Sequence, residues 1–172
     1  MRIAVENNHK RTETIRYIIY AIVLLLLSVI HLTMMDFISV AGITPDLIII
    51  LIVWIALKEG HFPAIIAGFV CGLFLDIISL DVIGTNALSK LLVGFIAGFF
   101  YRMGAADSII GSYRFIIIVL SCAVAHNLVY FFFYLKPSEV TFFTFFIKYG
   151  VAQSLYTTVF AIFGLLVKIP RK

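Results

Sequence analysis

From Ile15 to Met35 the chain runs apolar for 21 residues, with Arg16 at its start. A helix needs about 20 such residues to cross a hydrocarbon core about 30 Å thick, so this segment reads as a membrane span. Its length and lack of a cleavage-type ending favour retention as an anchor over removal as a signal peptide, whose core runs about 7–15 residues. Further apolar segments follow at approximately 46–57, 62–80, 87–101, 113–135 and 140–167, after a polar start (1–14) and before a short tail (169–172). Together they make 63% of the 172 residues hydrophobic and only 13% charged. Soluble domains hold about 45–50% apolar and about 25% charged residues, and a chain this small has too much surface per volume to hide the difference. The reading is an all-α polytopic membrane protein, a six-helix domain over 15–168, with no room for an appended soluble domain. Nearly continuous apolar runs also argue against a barrel, whose strands would alternate polar and apolar residues.

The charges report topology. Arg2, Lys10, Arg11, Arg16, Lys58, Arg102, Arg114, Lys168, Arg171 and Lys172 fall on one side of a six-span arrangement, and only Lys136 falls in a loop on the other. Because Lys and Arg gather on the cytoplasmic side, both termini are expected in the cytoplasm. The net charge of +4 is dispersed over span ends without interleaved aromatics, so no nucleic-acid partner is implied. Cys71 and Cys122 lie inside apolar stretches, without CxxC or His/Cys spacing, and read as small packing residues.

Spans three and four carry small residues at helical spacing: Ala64, Gly68, Gly72 and Asp76, then Lys90, Gly94 and Gly98, each series four apart. Each series lies on one face, and such stripes let helices approach closely in lipid, where no hydrophobic force joins them. Antiparallel packing should level Asp76 with Lys90, giving an expected ion pair at the outer end of a tight hairpin. Pro45 and Asp46 suit the first turn of span two, and Asn86 is expected to cap span four. His126, Asn127, Gln153 and Ser154 fall mid-span and are expected to bond neighbouring helices. The four histidines (His9, His31, His61, His126) fall at different expected depths, which argues against a shared metal. Neither GxSxG, HExxH nor a phosphate-binding glycine loop occurs, so no enzyme and no cofactor is expected.

The central third, residues 45–102, resembles the rod shape-determining protein MreD family of bacteria. The motif residues are Pro45 and Asp46 opening span two, Gly68, Gly72 and Asp76 in span three, and Gly84, Asn86, Ala87 and Leu88 leading into span four. One departure is Leu80-Asp81 after Ser79, where relatives often have Ser-Gly. The resemblance implies a non-enzymatic scaffold of the lateral wall-elongation complex in the plasma membrane, binding MreC. MreB, RodA and a penicillin-binding transpeptidase would join a larger assembly. It also implies a fold similar to the S components of energy-coupling-factor vitamin transporters, which supplies the alternative function. A polar-ligand site would need several polar side chains converging in the outer half, and the short outer loops offer only Asp36, Asp81, Lys136, Glu139 and a few hydroxyls. The scaffold is therefore the favoured reading.

Overall fold

The computed structural model describes the backbone of residues 2–40, 42–80, 82–134 and 142–167, and their side chains except at 2–10, 34–36, 134, 142 and 164–167. Asp36, Asp81, Lys136, Glu139 and the tail, named above as loop or end charges, lie outside the described side chains. The architecture is all-helical: α1 (Arg2–Ile38), α2 (Leu47–Glu59), α3 (His61–Ser79), α4 (Thr85–Gly98), α5 (Ala106–Ile110), α6 (Tyr113–Tyr134), α7 (Phe142–Phe145) and α8 (Ala152–Val167). A π-helical segment, Phe146–Val151, joins α7 to α8.

By length and composition, three helical stretches can cross a membrane among the described residues: Arg11–Thr33, His61–Ser79 and Tyr113–Phe133. α1 continues unbroken through the polar start, 37 residues in all, about 55 Å at 1.5 Å per residue. Its apolar face is largely uncovered, with Ile18, Ile22, Leu25 and Leu26 about half exposed.

α2 is the opposite case. Its sequence LIIILIVWIAL has no polar face, and a helix apolar all round belongs inside a bundle. Ile48, Ile52, Val53, Ala56 and Leu57 are fully buried. Only 13 residues long, it starts at the Asp46 cap and stops at Gly60, whose φ of +96° is open to glycine and strained for other residues. Pro45 therefore stands one residue outside the cap rather than in the first turn.

α3 and α4 make the closest helix pair. A Cβ on Gly68 would overlap the Lys90 carbonyl, one on Gly72 the Asn86 carbonyl, and one on Gly94 the Ala64 carbonyl. At Gly98 the obstacle is the His61 ring and backbone. The backbones touch directly, as small-residue packing requires. At one end of the bundle, Arg16 pairs with Glu59 at 3.0 Å, the Tyr20 hydroxyl donates to Glu59 at 2.8 Å, and Lys58 pairs with Asp107 at 2.8 Å. The acidic caps described next lie at the other end.

Candidate functional site: a buried ion pair and its polar cavity

Asp46 opens α2 and is buried by α4, α6 and α8 around it. Its Oδ1 accepts the amides of Ile48 (3.0 Å) and Ile49 (3.3 Å), the first free donors of the helix. Its Oδ2 accepts Lys90 Nζ of α4 at 2.6 Å. Its own N–H donates to the Thr157 hydroxyl of α8 at 2.9 Å, and His126 Nε2 of α6 stands 3.7 Å from Oδ2. One residue thus ties together four helices. Lys90 also donates to Asn86 Oδ1 at 3.4 Å.

Asp76 does not pair with Lys90, contrary to the sequence expectation. Its carboxylate instead receives the turn that begins α4: Gly84 N and Ala87 N reach Oδ2 at 2.9 and 3.1 Å, while Asn86 N and the Thr85 hydroxyl reach Oδ1 at 3.0 and 3.3 Å. Three backbone donors at a helix N-terminus, carrying the positive end of its dipole, compensate the charge where it is. That frees Lys90 for the carboxylate of a third helix. Asn86 is accordingly not the cap of α4, which starts at Thr85 with Gly84 before it and its first amides held by Asp76. Gly84 has φ +103°, the left-handed region this turn requires. Leu80 adopts φ +55° at the end of α3.

Beside the ion pair lies a cavity of about 460 Å³, bounded by Asp46, Asn86, His31, His126, Tyr149 and Gln153, with Phe131 and Phe145 among its apolar walls. His31 and His126 therefore share one site, correcting the expectation that the histidines lie at different depths. The same cavity corrects the expected shortage of converging polar side chains, because the helices supply what the loops do not. Among the described residues, no group of three or more His, Cys, Asp or Glu side chains is placed to hold a metal ion. Buried Nδ1 atoms of His31 and His126 have no hydrogen-bond partner.

Asn127 turns away from the cavity. Its amide donates to the Gly150 carbonyl (3.0 Å) and to Ser154 Oγ (2.9 Å), joining α6 to the π-helical segment and α8. Cys71 Sγ meets Ser28 Oγ at 3.1 Å and Cys122 is buried in the core, both as free thiols. A second cavity, about 550 Å³, separates α1 from α3 and is lined mostly by apolar side chains, including Leu24, Leu25, Ile66 and Val70.

Compared with known proteins, residues 12–169 match the family model described as rod shape-determining protein MreD. No curated protein and no solved structure matches the chain.

Proposed function

The chain belongs to the MreD family, whose members act in rod-shape determination, and from that premise we propose that it is a non-enzymatic membrane scaffold of the lateral wall-elongation complex. It binds MreC and couples it to peptidoglycan synthesis, with MreB, RodA and a penicillin-binding transpeptidase in the wider assembly. The observation that carries this reading is the family match over nearly the whole chain. The geometry is consistent with it, since the most closely packed elements are held by backbone contact and buried caps.

In this reading the chain crosses the plasma membrane six times with both termini in the cytoplasm. α2 and α4, at 13 and 14 residues, are each about 20 Å long and complete the crossing inside the bundle rather than against lipid. Clustering of Arg16, Lys58 and Arg102 toward one end supports that orientation. Gly68, Gly72, Gly94 and Gly98 set the α3/α4 distance, Asp76 and Gly84 set the turn, and Pro45, Asp46, Asn86 and Lys90 anchor α2.

Affinity purification of the tagged protein from a rod-shaped bacterium tests the proposal. MreC should co-purify, and depletion should give rounded cells. Recovery with an energising ATPase pair, without MreC, would overturn it.

A further inference from the structure

We propose that the apolar groove between α1 and α3 holds one acyl chain of an anionic phospholipid whose phosphate meets Arg16. The groove has a volume of about 550 Å³, with Ile55 of α2 in its floor and Leu25, Ile66 and Val70 on its walls. Those three wall residues are about half exposed, and α1 and α3 both carry stretches able to cross a membrane, so the groove opens sideways to hydrocarbon.

Three observations choose this occupant. First, the polar groups inside the groove are already bonded. Ser28 Oγ donates to the Leu24 carbonyl at 2.8 Å and lies 3.1 Å from Cys71 Sγ, while the Tyr20 hydroxyl donates to Glu59 at 2.8 Å. A polar ligand would surrender its water here without return, whereas a hydrocarbon chain loses nothing. Second, the dimensions are those of a lipid tail. α1 lines the groove from Tyr17 to Ser28, about 17 Å at 1.5 Å per residue, close to the depth of one leaflet in a hydrocarbon core about 30 Å thick. Over that length the volume makes a slot about 6 Å wide, whereas a helix with its side chains is about 10–12 Å across. A partner helix would rest on the rim and leave the floor without contacts, which a flexible chain supplies.

Third, the groove is polar at one end. Tyr17 and Tyr20 line it where Arg16 stands, and the Arg16 guanidinium lies 5.8 Å from the centre of the Tyr17 ring. Arg16 pairs with Glu59 at 3.0 Å, yet its side chain stays 45% exposed against 7% for Glu59. Five N–H donors in a fixed fork let one guanidinium hold the inner carboxylate and an outer phosphate together. Arg11, also exposed, follows toward the polar end of α1. An anionic head with a tail one leaflet long matches both ends of this groove.

The full chain, delipidated in detergent, is titrated with phosphatidylglycerol and, as the headless control, with diacylglycerol of the same chains; native mass spectrometry reads the bound lipid. One phosphatidylglycerol should be retained saturably, about tenfold better than diacylglycerol. Ala21→Phe and Ala67→Phe, on opposite sides of the groove, should each cut retention about tenfold, while Val159→Phe on the exposed face of α8 should leave it unchanged. Arg16→Gln should bring phosphatidylglycerol down to the level of diacylglycerol.

Size-exclusion chromatography identifies the folded variants. Should Ala67→Phe fail to fold, Ala21→Phe, an exposed position, decides the tail site, and the comparison of the two lipids decides the head contact without Arg16→Gln. Equal retention of the two lipids, absence of saturation, or retention unchanged in the folded groove variants overturns the proposal. Loss of MreC from Ala21→Phe with lipid retention intact overturns it too, and makes the groove a helix-docking face. The site requires only that α1 and α3 lie in a membrane, so it can fail while the scaffold reading stands.

Discussion

Lys90 Nζ lies 2.6 Å from Asp46 Oδ2, joining α4 to the start of α2 across 44 positions of sequence, with 1% and 4% of the two side chains exposed. A pair so buried is costly to assemble, but removing one partner is worse because the other charge is stranded. Lys90→Met and Asp46→Asn should each destabilise the bundle by about 3–5 kcal/mol. Asp46→Asn combined with Lys90→Met should recover part of that loss. Recovery stays incomplete because the amide nitrogen that replaces Oδ2 then faces an apolar Met side chain in a buried site, while the amide oxygen still caps α2. Melting temperature and the folded fraction on size-exclusion chromatography of the three variants check this.

A double-mutant cycle separates the two acidic residues. Asp76 satisfies its carboxylate with the Gly84–Ala87 turn, whereas Asp46 shares its charge with Lys90. Coupling between positions 46 and 90 should exceed about 1 kcal/mol and be clearly larger than that between 76 and 90, which meet only through their shared partner Asn86. Equal couplings in denaturation of the purified variants would contradict the geometry.

The all-helical class and the close packing at the glycine stripes were legible because apolar run length and four-residue spacing are local signals. The ion partner of Lys90 was not, since hairpin register places Asp76 nearby but says nothing of α2, which approaches from a separate hairpin. A clue was present: Asp46 precedes a helix apolar on all sides, so its carboxylate had to be buried and needed a cation. The meeting of His31 with His126 depends on helix rotation, which a nearly uniform apolar pattern does not encode. The π-helical segment at Phe146–Val151 left no pattern in the aromatic run around it.

Glycine substitutions give a test of sign. In an ordinary helix interior, Gly→Ala stabilises by about 0.5–1 kcal/mol. At Gly68, Gly72 and Gly94 the new Cβ meets the opposing backbone, which cannot rotate away as a side chain can. Each Ala variant should therefore be destabilised, by about 1–3 kcal/mol as for overpacked cores. Thermal melts in detergent would show this as lower midpoints at all three positions.

Leu80 should respond in the opposite direction. It ends α3 at φ +55° with its side chain 90% exposed, so it bears the cost of a left-handed conformation and has almost no packing to lose. Leu80→Gly removes a penalty of about 1–2 kcal/mol for an L-residue there, offset in part by the greater freedom of glycine in the unfolded chain. A gain of about 0.5–1 kcal/mol in denaturation midpoint measurements is expected.

Asn127 is the last case, where a polar residue mid-helix joins two elements. Its amide donates to both the Gly150 carbonyl and Ser154 Oγ, and Ser154 Oγ itself donates to Gly150 O at 2.7 Å. The three groups close a small network where the π-helical segment hands over to α8. Hydrogen bonds between membrane helices contribute about 0.6 kcal/mol on average and up to about 1.7. Asn127→Leu should thus destabilise by about 1–2 kcal/mol, and Ser154→Ala by less, because Asn127 keeps Gly150 O. Combining them should cost less than the sum of the two, since both act on one network. Hydrogen exchange of the amides in 146–154 should quicken in Asn127→Leu while those of α3 and α4 stay protected, and uniform loss of protection would mean that the network holds the whole bundle rather than this junction.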